Sequence, residues 1–110
     1  MQDVRYYFQI RNGKGLNPDK LIDQLRKKYG DVKLSRIPIH LLTFDNEIQT
    51  AKVAQLCRDM TRGKRMPPIV ADYCSDAGGK FKILDGNHRV AAALRLGRKL
   101  VLAWVPKPKL

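Results

Sequence analysis

The sequence is short of acid. Ten Asp and Glu stand against 22 Lys and Arg in 110 residues, giving a formal net charge of +12, and Glu47 is the single glutamate. A field of this sign attracts phosphate, whether on a nucleotide or along a nucleic acid backbone. Cysteine is scarce too. Cys57 and Cys74 stand alone without a CxxC pair, which argues against a structural zinc site and against a disulfide-built secreted fold. Long apolar runs are missing: the longest, Leu100 to Val105, has six residues, far below the roughly 20 that cross a bilayer. Residues after Met1 are polar and charged, so no secretory signal and no membrane partner are expected, and the chain reads as cytoplasmic. Repeats and low-complexity segments are lacking as well. The 44% hydrophobic residues suffice for one packed core, and a chain of this length is one domain.

The basic charge is divided. Residues 1–36 hold nine basic and four acidic groups, 37–60 two and three, and 61–110 eleven and three. Two positive regions therefore flank a near-neutral middle.

Period and punctuation give the elements. Val4, Tyr6, Phe8 and Ile10 alternate with polar or charged neighbours as in a half-buried strand, and Asn12-Gly13 predicts a turn. Tyr6-Tyr7-Phe8 is an aromatic cluster that fits core packing better than an interface. Asn17 followed by Pro18 predicts a helix cap and first residue. Leu21, Ile22, Leu25 and Tyr29 form that helix's apolar face, Gly30 stops it, and Arg26-Lys27-Lys28 suit its negative end. A short strand is expected over Ile37 to Leu42, with Pro38 marking an edge or a start. A helix from about Gln49 to Arg62 follows, buried through Val53, Leu56, Cys57 and Met60, and Asp45 and Glu47 are its candidate caps. Lys64-Arg65-Met66-Pro67-Pro68 reads as a stiff basic connector. Strands are expected at Ile69–Tyr73 and Lys80–Leu84 around a Gly78-Gly79 loop, a helix from about His88 to Leu96, and a last strand at Leu100–Val105. The order predicts a small single-domain α+β fold, a mixed sheet with packed helices.

One stretch carries chemistry: Ile83-Leu84-Asp85-Gly86-Asn87-His88-Arg89-Val90-Ala91-Ala92-Ala93. A strand ends, a glycine turns, and a helix starts at once. Backbone N–H groups of a first helical turn point outward together and, with the helix dipole, favour an anion. His88 and Arg89 add donors, and the Arg89 fork suits two phosphate oxygens. Two cations at a helix start oppose the dipole unless an anion sits there. The plainer reading makes Asp85 or Asn87 an N-cap, His88 a structural histidine and Arg89 a surface group.

Asp85-Gly86-Asn87-His88-Arg89-Val90-Ala91-Ala92 resembles the DG-x-HR-xxA box of the ParB/sulfiredoxin-like superfamily. The approach resembles it also: a strand at Ile39–Leu42, a helix containing Lys52, then Gly63-x-x-Met66-Pro67-Pro68-Ile69-Val70, a strand pair, the box, and a closing strand through Trp104. The resemblance covers about residues 36–105. It implies a nucleotide-binding domain there, with residues 1–35 as an N-terminal strand and basic helix extension and 106–110 as a basic tail. The implied cofactor is a nucleoside di- or triphosphate (ATP, ADP or CTP), with or without Mg²⁺, held by Gly86, Asn87, His88 and Arg89. Lys52 matches a lysine that contacts nucleotide in sulfiredoxins. Asn87 stands where those enzymes carry their catalytic cysteine, so sulfinic acid reduction is not expected. Partition ParB proteins carry glutamate and arginine where Asn87 and His88 stand.

Three functions follow as expectations. The first is a ParB-like nucleotide-binding domain in DNA maintenance or partition on a plasmid, phage or chromosome, with Lys64, Arg65, Lys107 and Lys109 touching the DNA backbone non-specifically. The second is a small phosphotransferase or NTPase. The resemblance extends to a branch that phosphorylates free serine and carries a carboxylate in the loop after its first strand. Glu47 would there take a hydroxyl proton, and Asp85 would hold Mg²⁺ through water. The third is a non-enzymatic interaction module, with a homodimer among its forms.

Overall fold

The computed structural model describes residues 17–44, 47–74 and 79–107. The strand expected at Val4–Ile10, the Asn12-Gly13 turn and the Tyr6-Tyr7-Phe8 cluster lie outside these residues, as do Asp45, Gly78 and Lys109.

Helix α1, Pro18–Tyr29, forms as its punctuation dictates. Asn17 Oδ1 accepts from the Asp19 N–H at 2.8 Å, Pro18 opens the first turn, and Gly30 ends it at φ 92°. Strand β1, Val32–Pro38, begins five residues before the expected Ile37. Pro38 has no N–H for a ladder, and Ile39–Leu41 is a 3₁₀ turn rather than strand, with the Ile39 N–H donating to the Lys99 carbonyl at 2.9 Å. Strand β2 is only Leu42–Thr43. Helix α2 is Thr50–Thr61, β3 is Ile69–Tyr73, β4 is Phe81–Asp85, α3 is Asn87–Arg95 and β5 is Leu100–Pro106.

The strands form one mixed sheet in the order β1-β5-β3-β4-β2, with β1/β5 and β3/β4 antiparallel and β5/β3 and β4/β2 parallel. Both faces are covered, which is why Ile69, Val70 and Ala71 are all buried in one short strand. On one face α2 and α3 pack Val53, Leu56, Met60, Val90 and Ala93 against Ile37, Ile69, Ile83, Ala103 and Val105. On the other, Ile22 and Leu25 of α1 sit on Val70, with Val32, Leu84 and Trp104 around them. The stretch expected as an extension thus supplies α1 and the start of β1. Its Asp31 carbonyl accepts from the Lys107 N–H at 2.9 Å. Cys57 is buried and points at the Ala92 carbonyl, 3.6 Å away. No described helix is long and apolar enough to cross a membrane.

Candidate functional site

β4 ends at Asp85, and the chain turns through Gly86 at φ 109° into α3. A side chain cannot be placed there: a Cβ on Gly86 would lie 2.5 Å from Ile69 Cγ2, and the positive φ strains any L-residue as well. The turn therefore brings backbone against β3 and starts the helix in one residue. Gly86 is itself the N-cap, so the capping expected of Asp85 or Asn87 is corrected. Asp85 instead pairs with Arg89 across one helical turn, Nη2 to Oδ2 at 2.8 Å, with side chains 1% and 7% exposed. The same guanidinium donates from Nη1 to the Pro67 carbonyl at 2.9 Å. One side chain thus ties the end of β4, the first turn of α3 and the proline connector together. Through these bonds Arg89 clamps the turn. The Asp85 carboxylate is buried and held by Arg89.

His88 links the two helices. The Gln49 N–H donates to its Nε2 at 3.0 Å, so Nε2 carries the lone pair and the neutral ring bears its proton on Nδ1. Gln49 is the N-cap of α2, makes no side-chain capping bond, and no acidic residue lies in that first turn. Glu47, expected to cap α2, is exposed and takes no part in it. Lys52 is the third residue of α2 and half-buried. The starts of α2 and α3 therefore converge on one imidazole, with Lys52 in one first turn and residues 87–89 in the other. Asn87 is wholly buried and His88 nearly so. The helix's own bonds begin with the Val90 N–H, which donates to the Gly86 carbonyl at 3.0 Å. Two positive helix ends meeting at a glycine turn make a place for an anion.

The residues expected on DNA are not gathered. Lys64, 3.6 Å from Asp59, and exposed Arg65 line a cleft of about 500 Å³ with Met60, Met66 and Leu100. Lys107 follows Pro106 at the opposite end of β5 from Leu100, a strand length of roughly 20 Å away. Among the described residues, no group of three His, Cys, Asp or Glu is placed to hold a metal ion. Sequence reasoning missed the backbone of Gln49 and the carbonyl of Pro67, neither of which leaves a side-chain signal. It missed the Asp85–Arg89 pair as well, because Asp85 ends β4 and only Arg89 is in the helix, so no helical spacing announces it.

No protein-family model and no curated protein matches the chain. Solved structures do, at low identity. The C-terminally truncated chromosome-partitioning protein ParB from Caulobacter crescentus, complexed with CTP-gamma-S, superposes with TM-score 0.61 at 22% identity over 70% of this chain and 46% of that one. A free serine kinase in complex with AMP gives 0.59 at 18%, over 68% and 31%. Sulfiredoxin from Arabidopsis thaliana gives 0.54 at 18%, over 69% and 86%. The chain thus spans less than half of the ParB and kinase chains. The fold is the ParB/sulfiredoxin-like α+β fold, as the box and the order of elements imply.

Proposed function

We propose that the chain binds the phosphates of a nucleoside di- or triphosphate where α2 and α3 begin. The single observation that carries this reading is the Gln49–His88 hydrogen bond of 3.0 Å, which holds the two helix starts together around one point. In this reading the first-turn amides of α3 cradle the phosphate. His88 fixes the distance between the helices, Lys52 supplies positive charge in the first turn of α2, and Arg89 holds the turn from behind through Asp85 and Pro67. That two structures of the same fold hold CTP-gamma-S and AMP supports a nucleotide over a free anion.

Thermal unfolding with ATP, ADP and CTP, each with and without Mg²⁺, tests it. Ligand at about 100 times its Kd adds roughly 2.7 kcal/mol of stability. Wild type gains this with at least one nucleotide, and Lys52→Ala loses most of it. No gain with any nucleotide contradicts the reading.

A second reading adds catalysis, because Glu47 is exposed and stands two residues before Gln49, where α2 begins. A carboxylate at that place accepts the proton of an attacking hydroxyl while the helix starts hold the phosphoryl group. Glu47→Gln abolishes phosphate transfer and spares nucleotide binding if this is right; turnover left intact removes the assignment.

A further inference from the structure

Helix α1 covers only part of its side of the sheet. Residues facing each other across β1 and β5 share a side, and Leu34 lies opposite Trp104, Arg36 opposite Leu102 and Pro38 opposite Leu100. Trp104 packs with α1. Beyond it, Leu34, Leu102 and Leu100 are 44%, 42% and 50% exposed. Apolar side chains exposed side by side on one face mark an interaction surface. Leu100 and Leu102 also line the 500 Å³ cleft, whose methionines, Met60 and Met66, belong to the α2/α3 core on the other face.

Cations frame both parts. Arg36 lies on the strip, and Lys64, Arg65 and Arg98 line the cleft, where no acidic side chain appears among the described lining residues. Asp59 neutralises part of the Lys64 charge at 3.6 Å, while Arg65 and Arg98 are exposed. A phosphate backbone on this surface leaves the leucines in water, and a wholly apolar partner desolvates the arginines without return.

We propose that the strip docks an acidic amphipathic helix of a partner protein, with the exposed arginines at the cleft mouth meeting one end of that helix. Its apolar side chains seat on Leu34, Leu100 and Leu102, and its carboxylates meet Arg36 on the strip and Arg65 and Arg98 at its end. Helix α1 demonstrates the geometry on the neighbouring half of the same face, where Ile22 and Leu25 seat on Val70. The buried anchors supply affinity, and the charged frame supplies rate and selectivity. This inference is independent of the nucleotide reading.

Fluorescence anisotropy on the full chain tests it. The probe is a labelled peptide of about four helical turns, with Leu on one face and Glu elsewhere. Controls are the same composition scrambled, a Lys-for-Glu version and a labelled DNA duplex. The Leu/Glu helix binds, and Leu102→Asp and Arg98→Glu each weaken it roughly tenfold or more, a loss of about 1.4 kcal/mol. Both side chains are exposed, and unchanged thermal unfolding confirms that the variants fold. Lys27→Glu alters net charge equally on the outer side of α1 and changes binding by less than about threefold.

Four results overturn the proposal. One is no binding of the Leu/Glu helix, or equal binding of the scrambled peptide. Another is an equal loss with Lys27→Glu, which reduces the effect to net charge. A third is duplex binding that depends on Arg98 while the peptide is indifferent to it, which makes this a nucleic acid surface. The last is self-association that Leu102→Asp abolishes, which makes the occupant a second copy.

Discussion

The starts of α1 and α3 solve the same problem in opposite ways. α1 satisfies its first turn with its own side chains: Asn17 caps, Pro18 needs no partner for a missing N–H, and Asp19 offsets the dipole. α3 has a glycine for a cap, no acid in its first turn, and His88 and Arg89 where an acid belongs. α2 resembles α3 rather than α1, with no side-chain cap from Gln49 and no acid in its first turn. The two helices that lack these devices are the two that meet at His88. A helix start whose side chains finish it is structural; two that converge without a side-chain cap are what the proposed phosphate site rests on. Arg89, the residue that most opposes the α3 dipole, has that opposition answered by Asp85 at 2.8 Å.

This contrast can be broken by substitution. Asp85→Ala leaves the Arg89 guanidinium buried without its carboxylate and costs about 3–5 kcal/mol, measured by urea unfolding. A cost no larger than that of losing the Asn17 cap would make the α3 start as ordinary as that of α1. Gly86→Ala meets Ile69 at 2.5 Å and a φ of 109°, which together cost about 2–4 kcal/mol. The same substitution at Gly97, whose Cβ would meet nothing within 4 Å, carries only the strain of positive φ and costs less. Asn17→Ala removes a cap worth about 1 kcal/mol and leaves nucleotide affinity unchanged, since α1 lies on the other face of the sheet. Lys52→Ala removes most of the nucleotide-induced stabilisation, measured against the ligand-free unfolding of the same variant. The substitutions at Asp85, Gly86, Gly97 and Asn17 separate structural cost by position, and Lys52→Ala separates structure from ligand.

Where the chain obeys local rules, the sequence was easy to read. α1 is the clearest case, because cap, first-turn proline, apolar spacing and stopping glycine all act within the helix itself. The order of elements from β3 to β5 was equally open, set off by Pro67-Pro68, Gly86 and Gly97. β1 was harder. Leu34 and Arg36 point to a face that α1 leaves partly open, so the strand lacks the apolar alternation that betrays half-buried strands, and its first five residues were passed over. The site was legible in composition and not in role. The box announced a helix start with cations in it, but the destination of each side chain depended on distant chain. Arg89 reaches a carbonyl in the connector, and His88 receives an N–H from the far side of the core. Backbone groups such as those of Gln49 and Pro67 have no residue-type signature, and only the fold brings them into place.

The most direct test is a backbone amide NMR titration of the full chain with ADP and CTP. Convergent helix starts predict that the amides of Gly86, Asn87, His88 and Arg89 move first and furthest, together with those of Gln49 and Lys52. Amides around Leu100 and Arg98, and those of α1, should stay still. Perturbation centred on the cleft, or spread evenly over basic residues, contradicts the account.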